Sequence, residues 1–260
     1  MKTLYEGILA DMEDTIQSGD TDIRELVKKF LSENYTGSYL IPYSPNKDGL
    51  YEISVLKRIA VKNKTIESLT NGLFIFTTCD DEFDCSNCYN LKSLEGAPKT
   101  VKGVFICSFC SSLTSLKGGP EQASMYYCND CDLESLEGAP KRLCAMNCSG
   151  NHRIENLKGL PKKISAPAKK YKAHGCKLIC NHIKGLKTLE GCPEEIHGWF
   201  DASNCPNLDL DSLKKYFPKR LDGEFMCINN FKNRTPEEIK NIKQYLLDNK
   251  YISQDYHMII

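Results

Sequence analysis

Residues 83–104 read FDCSNCYNLKSLEGAPKTVKGV, and residues 105–125 follow as FICSFCSSLTSLKGGPEQASM. A third copy, YYCNDCDLESLEGAPKRLC, fills 126–144, and shorter echoes recur as LKGLPKKI at 157–164, LEGCPEEIHGWF at 189–200 and FPKRLDGEF at 217–225. TIESLTNGLFIF at 65–76 is a fainter earlier copy. Pro98, Pro120, Pro140 and Pro161 are 22, 20 and 21 residues apart, and Pro193 and Pro218 follow after 32 and 25. A unit that returns at a nearly fixed period cannot bury an apolar face alone, so it stacks on its copies into a solenoid. Within each unit Phe83 and Cys85, Phe105 and Cys107, Tyr126 and Cys128, Met146 and Cys148, and Phe225 and Cys227 sit two apart, the spacing of one face of a strand. These pairs are expected to point inward. The leucines that follow (Leu91 and Leu94, Leu113 and Leu116, Leu133 and Leu136) and the G-x-P turn complete the coil. There Gly supplies a positive φ and Pro an extended return.

By these residues the chain resembles the leucine-rich repeat proteins, and within them the Cys-rich kind with a C-x-x-C-x-x-L-x-S-L-x-G-A-P unit found in bacteria and bacteriophages. The resemblance covers about residues 65–230 and departs from a regular period at an insertion near 165–177. It implies an α+β repeat, a leucine-rich-repeat-like solenoid with a short-stranded parallel sheet and helical caps at both ends. It also implies that the position three residues after each inner cysteine, which these repeats fill with Asn or Cys, satisfies backbone groups where the strand turns. Here that position holds Cys88, Cys110, Cys131, Asn151 and Asn230. Members of the family mostly present a concave sheet to a protein partner, and a bacterial or phage setting is expected from the resemblance alone.

Three segments follow: 1–64, an N-terminal helical cap with short strands; 65–230, the solenoid; and 231–260, a C-terminal helical cap and tail. Leu4, Ile8, Leu9, Met12 and Ile16 are spaced as a helix after a Thr3–Glu6 capping box. Ile23, Leu26, Val27, Phe30 and Leu31 repeat the pattern behind Asp22. Residues 38–62 read as short strands around a PNKDG turn. Thr235, Pro236 and Glu238 open a last helix whose Ile239, Ile242, Tyr245 and Leu246 face one side.

Lys plus Arg and Asp plus Glu both total 34 in 260 residues, so no whole-protein charge favours nucleic acid. No run of apolar residues is long enough to span a membrane, and the start lacks the pattern of a signal peptide, so a cytoplasmic location is expected, the host cytoplasm if the chain is phage-encoded. The 14 cysteines are then reduced thiols rather than a disulfide framework.

Cys85, Cys88, Cys107 and Cys110 have the spacing of a four-thiolate zinc site. That spacing is also the repeat period, and equivalent positions of a solenoid stack about 4.8 Å apart with or without a metal. Small, hydrophobic thiols filling the core are therefore expected, with no cofactor. His174, Cys176, Cys180 and His182 form a second constellation, H-x-C-x-x-x-C-x-H, of which only Cys180 falls on a repeat position. It is the weaker, metal-binding alternative. Cys176 as a nucleophile lacks a positioned base, and the chain is read as non-enzymatic.

Recognition is expected on the solvent face of the sheet. One residue after the inner phenylalanines runs the row Asp84, Ile106, Tyr127, Asn147, Ile179, Asp201 and Met226, flanked by Met125 and Trp199. Several are apolar where solvent-facing strand residues are normally polar. Ile106, Met125, Tyr127, Ile179, Trp199, Asp201 and Met226 are accordingly the candidate partner-binding residues. From Asn156 to Leu189 the chain has nine lysines and no acid, and Lys169, Lys170 and Lys172 lie in the insertion. They would reinforce a protein contact. Contact with nucleic acid or phosphate is the alternative, weakened by the lack of aromatics arrayed for base stacking.

Overall fold

The apolar pairs of successive repeats lie side by side. Phe83 pairs with Phe105, Phe105 with Tyr126, Tyr126 with Met146, Met146 with Leu178, Leu178 with Phe200 and Phe200 with Phe225, each in parallel register. All seven side chains are fully buried. The computed structural model describes residues 22–166, 175–230 and 234–250, and in them the chain is a parallel β-solenoid of about seven turns.

Its main sheet has ten strands. β1 (Tyr35–Leu40) and β2 (Tyr51–Val61) form an antiparallel hairpin. Both β3 (Phe74–Cys79) and β4 (Glu82–Asp84) pair with β2, so the sheet begins within the segment assigned to the N-terminal cap. Then come β5 (Thr100–Ile106), β6 (Gln122–Tyr127) and β7 (Ala145–Asn147). The main sheet continues through β9 (Lys177–Ile179), β11 (Trp199–Asp201) and β13 (Phe225–Met226). A second sheet joins β8 (Lys163–Ile164), β10 (Glu195–Ile196) and β12 (Arg220–Leu221).

The second sheet corrects the expectation of one short strand per coil. Each coil carries two extended segments, and the first begins two residues after the turn proline and turns inward the residue three after it. Val101, Ala123, Leu143, Ile164 and Ile196 stand at that offset from Pro98, Pro120, Pro140, Pro161 and Pro193, and all five are buried. In β5 and β6 the two segments run on as one strand. From β8 onward they are separate strands: the insertion parts β8 from β9, two residues part β10 from β11, and three part β12 from β13.

The return legs are chains of tight turns rather than helices, so the α+β reading narrows to a fold that is mostly sheet. Leu91 N–H bonds Cys88 O at 3.1 Å and Ala97 N–H bonds Leu94 O at 3.0 Å, with the same pair of bonds in the next coil at Leu113 and Gly119. At Gly138, φ is 94° and a Cβ would lie 2.6 Å from the Leu116 carbonyl carbon, so the turn needs glycine both for its conformation and for the close approach of coils.

Among the described residues three helices flank the sheets. α1 (Ile23–Asn34) starts where the Asp22 carboxylate accepts from Arg24 N–H at 2.8 Å, and buries Val27 and Leu31. α2 (Leu210–Tyr216), capped by Asp209, has no counterpart in the sequence reading. α3 (Pro236–Asp248) carries the Thr235–Glu238 capping box and buries Ile242 and Leu246. The helix expected over Leu4–Ile16 lies outside the described residues. No helix among the described residues is long and apolar enough to cross a membrane.

Candidate recognition face and corner cysteines

The turn that ends each strand repeats one backbone conformation. Asn87, Phe109, Asp130, Gly150, His182, Asn204 and Asn229 all have φ between 55° and 71°, and each precedes the second position of the C-x-x-C pattern. At that second position the side chain reaches back one coil. Cys110 Sγ donates to Cys85 O at 3.2 Å, Cys131 Sγ to Cys107 O at 3.1 Å and Cys205 Sγ to Cys180 O at 3.3 Å. Asn151 Nδ2 donates to Cys128 O at 2.9 Å, and Asn230 Nδ2 to Ala202 O at 2.7 Å. Cys and Asn thus make the same bond to the same carbonyl. Burial pushes the thiols of Cys88, Cys205 and Cys227 up to about 12 and that of Cys79 to about 11, while Cys85, Cys107 and Cys128 are raised by burial too. They stay protonated, as a hydrogen-bond donor must.

On the opposite strand face, Asp84, Ile106, Tyr127, Asn147, Ile179, Asp201 and Met226 form one continuous row, each paired in register with the next. All are half-buried. Two residues earlier, Glu82, Val104, Met125, Ala145, Lys177 and Trp199 form a second row. The polar members of the first row are already engaged. Asp84, Asn147 and Asp201 accept from the backbone N–H two residues on, in Ser86, Ser149 and Ser203, at 2.9, 3.1 and 2.9 Å. Asp201 also accepts from Asn181 Nδ2 at 2.7 Å, so it serves the turn first. Ile106, Tyr127, Ile179 and Met226 have no such duty. The Tyr127 hydroxyl donates to Met125 Sδ at 3.4 Å, and Trp199 is 54% exposed.

Stacking also changes the meaning of the lysine run. Lys158, Lys162 and Lys163 stand beside Glu190, Glu194 and Glu195 of the next coil at 2.9, 3.7 and 2.7 Å, and Lys187 pairs with Glu155. Four of the nine lysines of this acid-free stretch are therefore matched by glutamates of a neighbouring coil. Lys169, Lys170, Lys172 and His174 lie outside the described residues. The rest of the H-x-C-x-x-x-C-x-H constellation is dispersed: Cys180 is in the core, and His182 sits at the turn with its ring against Asn181. Cys176 lies with its Sγ 2.8 Å from Cys144 Sγ. Among the described residues no group of three or more His, Cys, Asp or Glu is arranged to hold a metal.

Two features escaped the sequence reading. A cavity of about 550 Å³ opens along the first segments of the coils, and every charged side chain that lines it is cationic: Lys102, Lys141, Arg142 and Lys163. Phe109 is 48% exposed while its backbone is left-handed at φ 60°, a conformation costly for a bulky side chain. The first signal needs the fold, since those residues are separated by a repeat or more. The second was legible, because Phe109 stands in the column where other repeats place Asn, Asp, Gly or His.

No protein-family model, curated protein or solved structure matches the chain, so its own geometry carries the functional reading.

Proposed function

We propose that the chain is a non-enzymatic protein-recognition module that binds a protein partner with the solvent face of its main sheet. The observation that supports this most directly is the patch made by Ile106, Tyr127 and Met125, extended along the rows by Ile179 and Trp199. Apolar and aromatic side chains on an otherwise solvated sheet face are the residue types that anchor protein interfaces. Asp201 and Met226 flank this patch. Phe109 adds a second motive: an exposed aromatic kept in an unfavourable backbone conformation gains nothing for the fold that Asn would not supply.

We infer that the solenoid is of the leucine-rich-repeat kind, with α1 and α3 closing its ends and a bacterial or phage cytoplasm as its setting. Lys169, Lys170 and Lys172 are proposed to add positive charge to the contact. Contact with nucleic acid is the less favoured reading, since Lys158, Lys162, Lys163 and Lys187 are each matched by a glutamate.

The test is affinity capture from a bacterial lysate with the wild-type chain and a Tyr127→Ala/Trp199→Ala double variant, scored by quantitative mass spectrometry alongside thermal melting. A protein retained by the wild type and lost by the equally stable double variant supports the reading. The same retained set for both chains, or nucleic acid as the captured species, rejects it.

A further inference from the structure

Cys144 and Cys176 occupy the corner where one extended segment of a coil gives way to the next. The column is traced by bonds between coils: Val104 N–H to Asp81 O, Cys144 N–H to Ser124 O, Lys177 N–H to Cys144 O, Trp199 N–H to Cys176 O and Gly223 N–H to Gly198 O. It is a crowded place. A Cβ on Gly103 would lie 2.1 Å from Asp81 O, and one on Gly198 1.9 Å from Cys176 O. Where Gly103, Gly198 and Gly223 stand in other coils, two successive coils place Cys144 and Cys176. Both are 1% exposed, and their sulfurs are 2.8 Å apart across 32 residues of chain. Neither belongs to the C-x-x-C columns, so the hydrogen-bond ladder does not account for them.

Cys144 also forms part of the wall of the cationic cavity. Lys102 and Lys163 there are paired with Asp80 and Glu195 at 2.6 and 2.7 Å, and Lys141 faces Glu121 at 3.9 Å. None of those acids lines the cavity. An anion entering it meets positive charge on several sides.

We propose that Cys144 and Cys176 are a thiol–disulfide exchange site that takes a small anionic disulfide, of the oxidised-glutathione class, from this cavity and becomes an intramolecular disulfide tying together two neighbouring coils. Cys144 gives its proton to solvent, and the thiolate attacks one sulfur of the small disulfide. That S–S bond breaks and releases one thiolate, leaving a mixed disulfide on Cys144. The Cys176 thiolate then attacks the Cys144 sulfur and expels the second small thiol. Two protein thiols are oxidised, one small disulfide is reduced to two thiols, and the two protein protons end on those products. Burial pushes the Cys144 thiol up to about 12, so the exchange is slow at neutral pH and quickens about tenfold per pH unit below that value.

The experiment treats the full reduced chain at pH 8 and low salt with oxidised glutathione or with cationic cystamine, and follows free thiols, intact mass and linked peptides. The expected result is loss of two thiols beyond any adducts on the partly exposed Cys131 and Cys192, a Cys144–Cys176 link, and a rate of linking with oxidised glutathione about 10-fold above that with cystamine, a ratio that collapses in 1 M salt, where screening is about 3 Å, or in Arg142→Glu. Cys176→Ser should stop at a single glutathionyl adduct on Cys144, a product that needs no disulfide-linked fold. A link through other cysteines, or unchanged thiols at pH 8 and pH 9, would overturn the site. Equal rates with the two disulfides would overturn its anionic preference.

Discussion

Asn151 donates to the carbonyl of Cys128 at 2.9 Å, and one coil earlier Cys131 donates to the carbonyl of Cys107 at 3.1 Å. An amide and a thiol thus serve one backbone site, which is why the sequence exchanges Asn for Cys at this position alone. Asn151 does more: it also donates to Cys148 O at 2.9 Å and accepts from Leu133 N–H at 3.2 Å. Cys131→Asn should therefore fold with unchanged or higher stability, and Cys131→Ala should lose about 1 kcal/mol. Asn151→Ala should lose about 2–3 kcal/mol, because several buried partners are stranded. Urea denaturation of the three variants checks the order, and an Asn151→Ala loss no larger than that of Cys131→Ala would contradict it.

Phe109 carries a different expectation. Asn87, Asn204 and Asn229 occupy the same column at nearly the same φ. Phe109→Asn should gain about 1 kcal/mol, because the left-handed conformation costs a bulky residue about that much. For a chain of this size the gain is about 2–4 °C in melting temperature. A fall in melting temperature would mean that the ring packs usefully.

The thiols set the alkaline limit. Burial raises the pKa of Cys88, Cys205 and Cys227 on folding, so their protonated form stabilises the fold fully below the unfolded value of about 8.5. That contribution is lost as pH rises from there toward the folded values, about 12 for Cys88, Cys205 and Cys227. Denaturant midpoints should be flat from pH 7 to 8 and fall progressively above about pH 9. A midpoint unchanged at pH 10.5 would count against buried, protonated thiols.

The acid limit has a local reporter. Lys163 and then His197 beside Glu195 hold its carboxyl down at about 2. A depressed carboxyl stabilises the fold above its unfolded pKa and ceases to do so as pH falls through the folded one. The melting temperature should thus decline between pH 4.5 and 2, and Glu195→Gln should make that decline shallower. Equal slopes for the two chains would show that the pair is uncoupled from folding.

The repeat unit made the solenoid, the inner pairs and the continuous outer row legible, because side-chain alternation and a period near 21 residues leave little choice of register. What could not be read locally came from stacking. Lys163 has no acid near it in sequence, yet Glu195 is its neighbour in the next coil. Cys144 and Cys176 lie 32 residues apart and are brought together because they hold equivalent positions in neighbouring coils. The second sheet had a signal that went unused, the apolar residue three positions after each proline. α2 was missed because its seven residues carry too few apolar positions to display a helical period.

The central claim is that the cysteines are donors and core filling of a stacked solenoid. Thiol reactivity and metal content of the native protein, purified under reducing conditions, test it most directly. Twelve of the 14 thiols are buried, and only Cys131 and Cys192 are partly exposed. The account predicts metal far below one equivalent, the two partly exposed thiols reacting first, Cys144 and Cys176 reacting slowly from the cavity, and ten that react only as the chain unfolds. Near-stoichiometric zinc, with a chelator lowering the melting temperature and releasing thiols together, would contradict it.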